Sequence, residues 1–336
     1  MKPYFLFIIL LVLAACQDES GPAEEQVAPQ DVPDVTVIHS PNGLGDRGYN
    51  DNLYKGIREC KNEYGFRLET HSPLSMDEAE QLMTDWMNDS VSDGKRLLIL
   101  GSSDFEPMLR AHAGLIPDKA RGEVLLLESR ATDLPAYTFY LPIYGACYQA
   151  GSAAVLLPYS FMSAVVCANP LEGPVADGRR GFEAGFKDNG GMLLDTYYLS
   201  DDDRGYAMAD SLYRLCYALE QNYGFVFPIA GGSSQGLLRF TREYPRTFYT
   251  AGMDVDQSDY SSRVTLSVVK HIDRAVYNFL AQWACGQTPP AHQRLGLSSG
   301  LVEVVIAPSY EQFFNGYVET TLETAIQKED AYEDTL

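Results

Sequence analysis

"VTVIHSPNGLGDRGYND", residues 35–51, passes from a short β-branched run through a glycine-rich turn into a segment with helical spacing. Strand, turn and helix in that order build an open α/β sheet, and such sheets hold ligands at the carboxyl ends of their strands. What the turn holds therefore decides what kind of α/β protein this is. Its glycines at 43, 45 and 48 spell GxGxxG, and Glu69 closes the next β-rich run where a dinucleotide site keeps its ribose-binding acid. Against a dinucleotide stands Asp46, which would set a carboxylate beside the pyrophosphate.

Outward from this turn the pattern repeats. Runs at 35–39, 66–70, 97–100, 124–127, 164–168, 193–199, 225–230 and 247–251 read as strands, separated by helix-length segments. Many are continuously apolar, as expected of strands covered on both faces of a parallel sheet. In "HIDRAVYNFLAQW", 271–283, Ile272, Ala275, Val276, Phe279, Leu280 and Trp283 share one helical face. The expectation is an α/β protein of doubly wound parallel sheets, and the length beyond residue 34 suits two domains of about 150 residues.

The N-terminus sets the compartment. Lys2 precedes an uncharged, mostly apolar run over 3–13 and then "LAAC", ending at Cys16. The run is too short to span a bilayer, and small residues before a cysteine suit a cleavable export signal. Leu-Ala-Ala-Cys resembles a bacterial lipobox, so 1–16 reads as a lipoprotein signal peptide and Cys16 as the lipidated residue. An exported protein meets no useful pool of NAD, a second argument against the dinucleotide. Residues 17–34 carry six acids, three prolines and no Lys or Arg, the composition of a disordered acidic tether. A net charge of −21 argues against nucleic acid and anionic lipid surfaces as partners. The five cysteines after Cys16 form no CxxC pair and no zinc spacing, so no metal is expected; buried free thiols are the default, with one bridge left open.

"GSSQG", 232–236, matches the GxSxG nucleophile elbow. It would make Ser234 the nucleophile of an exported hydrolase, with Asp254 or Asp256 and then His271 or His292 completing a triad. The alternative is a small-residue turn at a helix start.

Several loops together carry a different reading. "GDRGYNDNLYKGI", "YQAGSAA", "GRRGFEAGF", "AGGSSQG" and "AGMDVDQSDYSSRVTLSVVKHIDRAV" follow one another in that order, from residue 45 to 276. Together they resemble the basic membrane protein family, substrate-binding lipoproteins of ABC transporters that take up nucleosides. The most specific match is Gly252 to Gln257 followed by Ser267 to Lys270. The resemblance implies a type I periplasmic-binding-protein fold of two lobes joined by three crossings, 35–138 with 270–296 in one lobe and 139–269 with 297–336 in the other. It implies a ligand held between the lobes, an ABC permease as partner, a lipid anchor in the cell envelope facing the periplasm or the outer surface, a monomer, no cofactor and no reaction. A surface sensor of the same fold is the variant reading.

By that resemblance Tyr49 stands where the family keeps a base-stacking aromatic, usually Phe. Asp254 matches the acid that accepts from the ribose hydroxyls, and Lys270 either reaches the ligand or pairs with Asp254. Asp46 and Asn50 come to the cleft from the first loop, Gly231 and Gly232 let backbone approach the ligand, and Phe227 or Phe182 would form a second apolar wall. Ser40 stands where the family usually has an acid, which leaves a pyrimidine nucleoside, another glycoside or a modified ligand open beside a purine nucleoside.

Overall fold

The computed structural model describes residues 32–41, 43–89, 94–119 and 121–336; Cys16 and the acidic run to residue 31 lie outside the described residues. Two six-stranded sheets form the frame. The first gathers β1 (Asp34–Ile38), β2 (Arg67–His71), β3 (Arg96–Leu100), β4 (Glu123–Leu127) and β5 (Tyr137–Tyr140). The second gathers β6 (Met162–Cys167), β7 (Leu193–Tyr198), β8 (Phe225–Ile229), β9 (Tyr249–Asp254) and β10 (Val264–Lys270). The chain then returns to the first sheet for β11 (His292–Arg294) and to the second for β12 (Val302–Ile306). The orders are β11-β5-β4-β3-β1-β2 and β12-β10-β9-β8-β6-β7, all parallel except β12, which runs antiparallel to β10. Three crossings join the lobes, after β5, after β10 and after β11.

The helices are α1 (Tyr49–Tyr64), α2 (Met76–Asn88), α3 (Glu106–Ala111), α4 (Tyr144–Ala154), α5 (Pro174–Asp188), α6 (Ala209–Leu219), α7 (Ser234–Glu243), α8 (Ile272–Ala284), α9 (Glu311–Phe314) and α10 (Tyr317–Glu333). Their ends follow from local chemistry. Gly65 takes the left-handed conformation, φ 75°, that closes α1. Ser75 accepts from the Glu78 N–H at the start of α2, while Glu78 reaches back to the Leu74 N–H. No helix of the described residues is long and apolar enough to cross a membrane.

Among the described residues three strands are wholly buried: "RLLIL" in β3 and "FVFPI" in β8, which read as apolar runs, and "VTLSVVK" in β10, which mixes Thr265, Ser267 and Lys270 with its apolar residues. Four strands, β5, β10, β11 and β12, lie outside the runs read as strands from the sequence. β5 is only four residues long, β11 is a polar edge of three, and β12 alternates buried and exposed positions on the antiparallel edge. Of the five cysteines, Cys60, Cys147, Cys167 and Cys216 are buried free thiols, and Cys285 is free and exposed.

Helices α4 and α5 approach through glycine. A Cβ on Gly181 would fall 2.2 Å from the Tyr144 carbonyl oxygen, and one on Gly185 would fall 1.9 Å from that of Tyr148. Backbone cannot yield as a flexible side chain can, so Gly185→Ala should lower the unfolding free energy by more than about 2 kcal/mol. A urea titration reads this directly; an unchanged midpoint would mean that the two helices separate freely.

Candidate ligand-binding site

The carboxyl ends of the strands in both sheets face one cleft. From the first lobe Ser40, Asp46, Tyr49, Asn50, Ser102, Asp104 and Glu128 line it; from the second come Asn169, Asp203, Tyr206, Gly231, Gly232 and Asp254, and Lys270 lies at the second crossing. Ile143, Leu171, Val175, Ile229 and Met253 supply the apolar wall. The lobes meet across this space: a Cβ on Gly232 would stand 3.7 Å from the Asp46 side chain, and one on Gly48 would stand 3.6 Å from Asp254 Oδ2.

The glycine-rich turn resolves in favour of Asp46. Its Oδ1 accepts from the Gly48 N–H at 2.9 Å, and its Oδ2 accepts from the Asn50 N–H at 2.9 Å and from Asn50 Nδ2 at 3.0 Å. Asp51 accepts from the Gly45 and Arg47 N–H groups at 2.7 and 2.9 Å. These donors at the start of α1 are the ones that would hold a pyrophosphate, and carboxylates of the chain already occupy them. Glu69, the supposed ribose acid, is instead an exposed side chain 3.1 Å from His71.

The hydrolase arrangement is absent as well. Ser234 opens α7 in ordinary helical geometry, φ −57° and ψ −24°, without the strained turn of a nucleophile elbow. Its hydroxyl is buried without a hydrogen-bond partner, while His271 bonds Glu303 and His292 bonds Thr138. The neighbouring Ser233 explains the small-residue turn: it accepts from the Met208 N–H and donates to the Gly205 carbonyl.

Of the other expected site residues, Ser40, Asp46, Tyr49, Asn50, Asp254, Lys270, Gly231 and Gly232 come together at the cleft. Phe182 and Phe227 do not. Both are fully buried and stack on each other with centroids 4.5 Å apart, in a row with Phe186 and Phe225 beneath the second sheet. Four aromatic faces bury more apolar surface against one another than a cleft wall would offer. The aromatic ring that the second lobe brings to the cleft is Tyr206, packed over Gly231, where a Cβ would sit 2.9 Å from the ring. Gly231 also holds φ 50°, so glycine serves both backbone and packing there.

Lys270 pairs with Glu128 at 2.6 Å rather than with Asp254, and its ammonium stands 5.2 Å from the centre of the Tyr49 ring. Burial raises the Tyr49 phenol well above its usual range, with Glu128, Asp254, Asp104 and Asp46 adding to it, so the hydroxyl stays a donor. Burial likewise pushes the Asp254 carboxyl up to about 6 against the pull of Lys270. Asp104 is lifted to about 6 by burial and by Asp203 across the cleft. Asp254 and Glu128 share a second property: each ends or follows its strand in the left-handed region, at φ 69° and 57°. Non-glycine residues hold that conformation at a cost of about 1–2 kcal/mol, a strain that clusters at functional sites.

Asp104, Glu128 and Asp203 are cleft acids that no single motif marks. The first two do sit directly after β3 and β4, where the strand-end rule directs attention.

Two covered sheets, three crossings and a cleft between strand ends define a two-lobed protein of the type I periplasmic-binding fold. A solute-binding protein of an ABC transporter system from Aeropyrum pernix K1 superposes with a TM-score of 0.69 at 15% identity, over 89% of this chain and 86% of that one. An ABC transporter periplasmic solute-binding protein from Actinobacillus succinogenes 130z, solved with bound D-allose, gives 0.61 at 12% identity over 83% and 98%. Residues 34–334 match the Bmp family model, ABC transporter substrate-binding protein PnrA-like, and the chain belongs to that family. Basic membrane protein C of Borreliella burgdorferi is 24% identical over 293 residues, 82% of this chain and 80% of the relative.

Proposed function

We propose that this substrate-binding protein captures a nucleoside-like molecule between its lobes and presents it to an ABC permease, held at the membrane by a lipid on Cys16. The observation that carries the ligand class is a cleft with one tyrosine ring from each lobe, Tyr49 and Tyr206, beside the buried carboxylate of Asp254. Aromatic faces take a flat base, each stack contributing about 1–3 kcal/mol in nucleic-acid systems. A carboxylate only accepts, so vicinal hydroxyls satisfy both its oxygens. Asp104 and Asp203 extend the same demand to the rest of the ligand, which must present donors.

The test is calorimetric titration of the chain from Gln17 onward with nucleosides, free bases, pentoses and hexoses, each repeated as a thermal shift. A ligand at a hundred times its dissociation constant should add about 2.7 kcal/mol of stability. Binding of nucleosides but not free sugars is expected; hexose binding with no response to nucleosides would replace this reading with a sugar receptor.

The pH dependence has a definite sign. Hydroxyls donate to ionised Asp254, whose carboxyl titrates at about 6, so affinity holds above that pH and weakens as pH falls through it. The fall approaches about tenfold per pH unit for one required deprotonation. An affinity flat from pH 7.5 to 5 would show that the ligand does not use the ionised carboxylate.

A further inference from the structure

The C-terminal helix does not stay with the lobe it packs on. Over its first turns α10 lies along α4: Gln149 donates to the Val318 carbonyl at 2.8 Å and to Thr321 at 3.1 Å, and Ala325 is fully buried. Lys328 pairs with Asp188 of α5 at 2.6 Å. All of these contacts belong to the second lobe.

The last turn reaches the strand ends of the first sheet instead. Arg130, just beyond β4, gives Nε to Glu333 Oε2 at 3.1 Å and Nη2 to Glu333 Oε1 at 2.8 Å. Tyr140 at the end of β5 donates to Glu333 at 2.8 Å, and Arg294 at the end of β11 pairs with Asp330 at 2.8 Å. Arg130 also holds Asp177 of α5 at 2.9 Å, so one guanidinium joins the first lobe, the second lobe and the helix. Between these contacts Glu329 fastens two of the three crossings. It accepts from the Gly145 N–H at 3.1 Å after the first crossing and from the Leu297 N–H at 3.2 Å on the third.

From this arrangement we propose that α10 is a strap across the hinge: its last turn favours the closed lobe contact, so lobe closure is set outside the cleft as well as within it. The Asp177 and Glu333 side chains are only 6% and 7% exposed. Rotation about the crossings would draw Arg130, Tyr140 and Arg294 away from α10 and leave buried carboxylates without their cation, which opposes opening. The Arg130 fork contacts both carboxylates at once, a geometry that lysine cannot reproduce.

The test needs no ligand. Exposed labelling sites are Leu74 in the first lobe, 89% exposed, and Met192 in the second, 79% exposed. Leu74→Cys and Met192→Cys are combined with Cys285→Ser, and the interlobe distance distribution is measured by pulsed spin-label spectroscopy. Arg130→Lys and Glu333→Gln are each expected to raise the longer-distance population at least fivefold. Lys328→Ala, which breaks a bridge inside the second lobe, should leave the distribution unchanged. Distributions superimposable on the parent in both strap variants would overturn the proposal, as would an equal change in Lys328→Ala. Loss of the fold in both variants would overturn it too, because the helix would then be holding a core rather than an angle.

Discussion

Lys270→Met is expected to lower the unfolding free energy by about 3–5 kcal/mol, the largest effect of any single change in the cleft. Lys270 is 3% exposed and Glu128 8%, and their ion pair is 2.6 Å long. Removing the cation leaves the Glu128 carboxyl without its counter-charge in a site that also holds Asp254, Asp46 and Asp104. For a protein of this size that corresponds to a fall of about 5–8 °C in melting temperature. The double variant Lys270→Met with Glu128→Gln should recover most of the loss, because no buried charge then remains unpaired. Calorimetry at pH 7 on the three proteins decides the matter. A single variant that melts within a degree of the parent would show the carboxylate to be hydrated.

Asp254 should separate stability from binding. Asp254→Ala is expected to weaken ligand affinity at least tenfold, since one charge-assisted hydrogen bond contributes about 1.5–3 kcal/mol. Alanine also strains at φ 69°, so Asp254→Asn is the cleaner variant, asparagine being at ease in the left-handed region. The folded-state carboxyl titrates at about 6, above its ordinary value of 3.8. Its ionised form at pH 7 therefore costs the folded state up to about 3 kcal/mol, a penalty that grows as pH rises from the unfolded value through the folded one. Asparagine removes that charge. The expected result is a protein that melts higher yet binds its ligand at least tenfold more weakly; unchanged affinity would take Asp254 out of the ligand's contacts.

The doubly wound lobes were legible because buried parallel strands must be apolar on both faces, and most of the inner strands showed it, while the edge strands β2 and β7 read as strands from their β-rich composition. The short inner strand β5, the edge strands β11 and β12 and the inner strand β10, whose apolar residues alternate with polar ones, left little trace, since each is held by neighbours that sequence does not name. Asp46, Tyr49 and Asn50 share one loop and Asp254 and Lys270 one ordered motif, and the resemblance of those two stretches to the basic membrane protein family is what pointed to them; the structure brings all five to the cleft. Asp104 and Glu128 lie in loops after β3 and β4, where the strand-end rule points, but no motif singles them or Asp203 out in a chain with 46 acids. Phe182 and Phe227 misled because aromatic residues serve a core and a binding wall equally well. Only the partners across the sheet, Phe186 and Phe225, decide which.

Asp46 gives the glycine-rich turn a wider meaning. By folding its own carboxylate onto the start of α1, the chain carries a resident counter-ion where a cofactor enzyme would admit a phosphate. The same glycine spacing thus serves two trades, a cradle left vacant for a guest and a fastening permanently shut. The residue directly after the second glycine tells them apart: here Asp46, an acid that reaches the helix start, fills the place a phosphate would need.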